Sequence, residues 1–315
     1  MGAQLRVYRR RIRTVQSTRK ITKAMELIAA SRIVRAQSRM TAARPYAEEI
    51  TRALAALSSD TSLKHPMLTG VESPRRAGIL LITSDRGLAG GYNANAIKRA
   101  NELADRLRGE GREVVRFVVG RKGAAYYNFR RIPLAGVWTG FSEQPSFADA
   151  RGATDAVVGA LVATSDGEYD GEPGIDELYV VYTHFVNMVT QTPTAVQVSP
   201  LREADVEQSR GSDEQRSDDS QLSASYDFEP EPEELIATLL PRYVIARIFS
   251  ALLESAASES AARRRAMKSA SDNATELIRT YTRLANQARQ AEITQEISEI
   301  VGGADALASA GSDQL

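Results

Sequence analysis

The chain has 315 residues, enough for one sizeable core or two small domains. It balances 40 Lys plus Arg against 40 Asp plus Glu and has no cysteine, which excludes a disulfide framework, a thiol nucleophile and a thiolate metal site. His65 and His184 lie far apart without ligand spacing, no apolar run is expected to approach the roughly 18 residues of a membrane span, and the basic N-terminus lacks the apolar core of a signal peptide.

The charges cancel in sum but not in place. Through Arg52 there are thirteen basic and three acidic residues, whereas Gly152 to Thr238 holds three basic and nineteen acidic ones. Such polarity suits a part seated between charged partners better than a free enzyme.

The first element is a helix from Gln4 to Ser59, free of glycine and crossed only by Pro45, which predicts a kink and not an end. Leu5, Tyr8, Ile12 and Val15 start an apolar stripe at steps of three and four. Ile21, Met25 and Ile28 continue it after a slip, and from Ile33 it runs cleanly through Ala36, Met40, Ala43, Ala47, Ile50, Leu54 and Leu57. At 1.5 Å per residue this rod is about 80 Å long. Its basic face (Arg6, Arg9, Arg10, Arg11, Arg13, Arg19, Lys20 and Lys23) would suit a nucleic-acid arm, but stacking aromatics are sparse and a solvated face explains it as well.

The middle alternates strand and helix. Gly78–Thr83, Val114–Val119, Leu178–Phe185 and Thr194–Val198 read as strands; Asn95–Arg108, Lys122–Asn128 and Phe147–Ala163 read as helices. The order predicts a small parallel or mixed sheet with both faces covered. The glycine loop Ser84–Asn93 follows the first strand, where backbone N–H groups can cradle phosphate. Its spacing is not G-x-G-x-x-G and no Gly-Lys-Ser/Thr follows, so a tight turn with local contacts from Asp85 and Arg86 is expected. Ser165–Gly174 crowds Asp166, Glu168, Asp170 and Glu172 into one glycine-rich loop. Mutual repulsion predicts an extended segment that does not fold back as a core element. Glu203–Ala224 is polar, acidic and rich in serine, the composition of a mobile connector.

After Pro232 and as far as Leu307 the only proline is Pro241, and no glycine precedes Gly302, so one helix of some seventy residues, roughly 100 Å, is expected. Ala270, Ala274, Leu277, Tyr281, Leu284, Ala288 and Ala291 alternate at four and three, the 3.5-residue period of a left-handed coiled coil. After Ala291 the stripe shifts to Ile293, Ile297, Ile300, Ala304 and Leu307, aimed at a different neighbour. Two long heptad helices at opposite ends of a chain predict an antiparallel pair, and the fold class is α/β: a long coiled coil of the N- and C-terminal helices plus an α/β middle domain. The expected divisions are 1–60, 61–231 and 232–315.

Several of these stretches carry a resemblance. Ile293-Thr294-Gln295-Glu296, then Glu299 and Gly303-Ala304-Asp305-Ala306, resembles the C-terminal signature of the γ subunit of F-type ATP synthases. Ile21 to Arg32 (ITKAMELIAASR), Arg44-Pro45-Tyr46-Ala47-Glu48 and Thr83-Ser84-Asp85-Arg86-Gly87-Leu88 are similar to the same family. The resemblance implies a Rossmann-like middle domain without a catalytic nucleotide site, in a non-catalytic central shaft that turns inside an alternating α/β hexamer and couples proton flow through a membrane ring to ATP synthesis. It implies rotor–stator contacts at Lys23, Met25, Arg289, Gln290, Thr294 and Glu296, and a ring-facing foot at Tyr226, Phe228 and Glu229. The implied partners are the α and β subunits, the ε subunit and the c-ring, with no nucleic acid. ATP, ADP and magnesium would sit on partner subunits, with no cofactor on this chain. Membrane association would come only through partners, at the cytoplasmic face. From the residues alone, a basic nucleic-acid-binding coiled coil and a nucleotide-binding α/β enzyme stay open as alternatives.

Overall fold

The computed structural model describes residues 2–58, 66–201 and 232–312. The chain divides into two compact units, one of residues 29–263 and one of residues 1–28 with 264–315. Two helices, α1 (Gly2–Ser58) and α6 (Pro232–Ser312), continue unbroken from one unit into the other, so the division crosses elements and does not follow their ends.

The larger unit is built on a five-stranded sheet of β1 (Arg76–Ile82), β2 (Glu113–Val119), β3 (Gly136–Trp138), β6 (Glu177–Phe185) and β7 (Gln191–Ser199), in the order β3-β2-β1-β6-β7. All neighbours are parallel except β6 and β7, which form an antiparallel hairpin. Side chains alternate across a pleated strand, and β1 uses both sides. Ile79 and Leu81 face a core with α3 (Tyr92–Gly109) and α4 (Arg121–Phe129); Leu80 and Ile82 face one with α5 (Phe147–Ala163) and parts of α1 and α6. The sequence had placed these strands and helices to within a few residues. It passed over β3, too short to show a period, and α2 (Pro66–Thr69).

Helix α5 starts where its sequence says it should. The Ser146 hydroxyl accepts from the Asp149 N–H, and the Asp149 carboxylate accepts from the Ser146 N–H, a reciprocal capping box. In the first half of α6, Ile236, Leu240, Tyr243, Val244, Ile248 and Leu252 are buried among the sheet-facing side chains. That richness makes one window within Leu235–Gly302 apolar enough to cross a membrane by length and composition, contrary to the expectation from sequence. A helix apolar on most sides also results when it serves as the central packing element of a folded core.

The acidic loop is not extended but folds into a hairpin, whose strands stay exposed and outside the core. β4 (Glu168–Tyr169) pairs antiparallel with β5 (Glu172–Pro173), and Asp170 and Gly171 turn between them with φ of 52° and 81°. Two positive φ angles at Asp-Gly are the demand of a type I′ hairpin, a stronger local instruction than repulsion among solvated carboxylates. Asp166 is paired with Arg75, and the Tyr169 ring lies on Gly159 of α5, where an added Cβ would stand 2.1 Å from it. The connector at 203–224 lies outside the described residues.

In the smaller unit the two helices run antiparallel, fixed by Tyr8 against Tyr281 and by Thr22 against Ser271. The period is as expected, but its phase differs. No slip occurs in α1: Leu5, Tyr8, Ile12 and Val15 lead on to Thr22, which is buried, while Ile21 is 61% exposed. On α6 the seam takes Ser271, Ala274, Ile278, Tyr281, Ala285 and Ala288, and Leu277 is 45% exposed. The reason is chemical. Thr22 and Ser271 satisfy one another across the seam at 2.7 Å, so a polar pair holds a place where the sequence pattern looks only for apolar residues.

Candidate functional site: a buried charge node and the exposed helix faces

The carboxyl ends of the strands are tied together by Asp85, which follows β1. One oxygen accepts from the Arg121 N–H at 3.1 Å; the other accepts from Gly140 N–H at 2.8 Å and Ser142 N–H at 3.0 Å. The loops after β1, β2 and β3 therefore share one carboxylate. Gly120, with φ of 98°, lets β2 end so close to β1 that a Cβ would stand 2.2 Å from the Thr83 carbonyl oxygen.

The chain leaves β1 for β2 on one side and later returns to β6 on the other. The carboxyl ends of β1 and β6 thus form the crevice where doubly wound sheets ordinarily receive ligands. Here α6 occupies it. The Ser258 hydroxyl donates to the Thr183 carbonyl at 2.9 Å, Tyr92 donates to the Ser255 carbonyl at 3.3 Å, and Arg263 reaches the carbonyls of Arg86 and Gly87 at 3.4 Å each. A phosphate cradle presents N–H groups; this glycine loop presents carbonyl oxygens to a cation. The expected tight turn with local contacts at Asp85 and Arg86 is what forms.

Arg263 is also the centre of a charge node. It donates to Glu259 one helical turn earlier at 2.7 Å and pairs with one oxygen of Glu143 at 3.2 Å. The other oxygen of Glu143 meets Arg32 of α1, and Arg86 approaches it at 3.6 Å. Glu259 is 1% exposed and Arg263 5%. Burial pushes the Glu259 carboxyl above the usual range, and the Arg263 guanidinium opposes that rise. Burial likewise raises the Tyr92 phenol, with the Glu259 charge adding to it.

The residues expected at rotor–stator contacts all lie in the smaller unit. Lys23 is exposed and pairs with Glu26 at 3.1 Å; Met25 is half-buried. Arg289, Gln290, Thr294 and Glu296 are exposed along α6. They form two bands and not one site. The register set by Thr22 with Ser271 and Tyr8 with Tyr281 places Arg289 beside the start of α1, roughly 30 Å along the helix from Lys23. Beyond that point α1 has ended, and Ile293, Ile297, Ile300 and Val301 are exposed, Ile300 at 72%. The expected foot at Tyr226, Phe228 and Glu229 lies outside the described residues.

Sequence reasoning missed Glu143, Glu259, Arg263 and Arg32 as a group. Arg32 closes the ITKAMELIAASR stretch, and Glu259 with Arg263 stand at helical i, i+4 spacing, but nothing in the order of residues links either to Glu143. Among the described residues no group of His, Cys, Asp and Glu is placed to hold a metal ion.

Comparison with known proteins gives one consistent result. The profile of a family described as ATP synthase matches residues 4–307. The chain is 56% identical to a protein named ATP synthase gamma chain from Acidothermus cellulolyticus, over 99% of this chain and 100% of that one. It is 55% identical to the protein of the same name from Streptomyces avermitilis, over the whole of both chains. Among solved structures, a chain of the Euglena gracilis mitochondrial ATP synthase (OSCP/F1/c-ring) superposes with a TM-score of 0.64 at 16% identity, covering 98% of this chain and 95% of that one. A chain from the central stalk/c-ring of the Tetrahymena thermophila enzyme gives 0.56 at 24% identity, covering 80% and 99%. These two likenesses bear on fold.

Proposed function

We propose, for a chain that belongs to the ATP synthase gamma chain family, the central-stalk subunit of F-type ATP synthase, that its paired helices turn inside an α/β hexamer and open or close nucleotide sites on the β subunits. Proton flow through the membrane c-ring drives the turning, and the chain meets the membrane only through its partners, the ε subunit among them, on the cytoplasmic face. ATP, ADP and magnesium bind to partner subunits. The ring-facing foot is the stretch carrying Tyr226, Phe228 and Glu229.

One observation carries this reading: α6 outruns its partner helix and displays Ile293, Ile297, Ile300 and Val301 bare. Exposed apolar side chains in such a row mark a surface that meets another protein. Apolar contact is non-directional, so such a tip can slide inside a sleeve, where strong fixed polar bonds would hold it still. The seam below it supplies stiffness, since two helices packed on a heptad seam resist twisting better than one. Arg289, Gln290, Thr294 and Glu296 act as polar catches along the upper band, and Lys23 and Met25 along the lower. The α/β domain has a mounting role, supported by the way α6 fills the crevice at the ends of β1 and β6.

The test is to replace Arg289 or Gln290 by Ala in the complete complex. Assembly in membranes should persist while proton-driven ATP synthesis falls. Loss of the whole complex would make these residues structural and undo their assignment as catches. Recovery of the chain from native membranes without an associated ATPase would undo the central-stalk reading itself.

A further inference from the structure

We propose that Glu143 keys the α/β domain to both long helices and is a positioning residue for rotary coupling. The inference rests on the central-stalk reading and adds to it where the turning load passes between domain and helices.

Glu143 stands in the loop after β3, and its carboxylate meets guanidinium groups from three different elements. One oxygen takes Arg263 of α6; the other takes Arg32 of α1, with Arg86 of the loop after β1 at 3.6 Å. Each long helix therefore has its own oxygen on a single carboxylate. The Glu143 side chain is largely buried, and its loop is held from behind: Gly140 and Ser142, just before it, both donate backbone N–H groups to Asp85. The anchor is thus fixed to the sheet, while two of the groups it meets, Arg32 and Arg263, belong to the helices.

The apolar core between sheet and helices resists separation, but burial of area has no direction and opposes sliding or turning only weakly. Ion pairs add a Coulomb attraction that weakens as the charges are drawn apart, and so they oppose displacement along the surface. Beside Glu143 the apolar packing is incomplete: Arg32, Arg35, Arg39, Gln144, Pro145, Leu253 and Ala256 line a cleft of about 50 Å³. At this place the ion pairs bridge the loop to the helices beside the packing of Phe141 on the apolar core. A turning load is a sliding load, and the node shares it with the bonds of Ser258 to Thr183 and of Tyr92 to Ser255, being the point that ties both long helices to one loop.

The test uses the whole complex in inverted vesicles, with E143Q, E143A and E143D, reading ATP hydrolysis and ATP-driven proton pumping side by side. E143Q keeps the shape and removes the charge. It should leave hydrolysis within about twofold of the parent and lower protons pumped per ATP hydrolysed by roughly threefold or more. E143A should do the same, and E143D, which restores the carboxylate, should recover most of the ratio. An unchanged pumping-to-hydrolysis ratio in assembled E143Q and E143A complexes overturns the proposal. So does failure of all three variants to assemble, which would make Glu143 a folding residue, and so does a ratio in E143D as low as in E143A. If the parent complex itself fails to couple hydrolysis to pumping, the central-stalk reading fails, and that result is distinct from any of these.

Discussion

Replacing Arg263 by Ala tests the physics of the charge node directly. Arg263 and Glu259 are 5% and 1% exposed, so the substitution leaves a carboxylate inside the fold without its counter-charge. Breaking a buried pair by removing one partner costs about 3–5 kcal/mol. Two other losses are smaller. Arg263 reaches the Arg86 and Gly87 carbonyls only at 3.4 Å, long for hydrogen bonds, and Glu143 keeps Arg32. The pH dependence follows from Glu259, whose folded carboxyl is raised by burial and lowered again by Arg263. Without the arginine it rises further, and each additional unit is worth about 1.4 kcal/mol. Between the ordinary carboxyl value of the unfolded chain, about 4.3, and the raised folded value, the folded state holds a proton that the unfolded state lacks. Stability in that window therefore increases as pH falls. The deficit of R263A against the parent should be largest near pH 8 and shrink steadily toward pH 5. Urea unfolding of the full chain, followed by circular dichroism at steps between those values, measures it. A deficit below about 1 kcal/mol at pH 8, or one equal at both ends of the range, would refute the reasoning.

Other outcomes follow from the same geometry. Gly120→Ala must place a Cβ against the Thr83 carbonyl at a φ of 98°, and should cost about 3 kcal/mol, read as a fall in the Tm of the purified chain. Thr22→Val strands the Ser271 hydroxyl in the seam and should cost about 1–2 kcal/mol, whereas Thr22→Val with Ser271→Ala together should recover most of it; a double-mutant cycle by urea unfolding decides this. Deleting Asp166 to Pro173 removes the β4–β5 hairpin and should leave the complex assembled while changing ATP hydrolysis or pumping. Three unchanged rates (hydrolysis, pumping and synthesis) would make the hairpin a surface ornament, and failed assembly would make it structural.

The long helices were legible in the sequence because helicity here is a local property. Runs free of glycine with a 3.5-residue apolar period state both the element and the kind of neighbour it needs. The strands of the sheet were legible for a similar reason, since Gly78–Ile82 and Leu178–Phe185 are apolar runs bounded by turn residues. Family membership was legible through short fixed stretches such as ITKAMELIAASR. The phase of the seam was not, because Thr22 and Ser271 earn their buried places only by meeting one another, a fact about two residues 249 positions apart. The acidic hairpin misled because its charges, though alike, are solvated, so the Asp-Gly turn and the seat of Tyr169 on Gly159 decided its shape. The node of Glu143, Arg32, Arg86 and Arg263 belongs wholly to the tertiary structure. Its members come from four separate segments, and a charge has no period; only the fold brings one carboxylate within reach of three guanidinium groups.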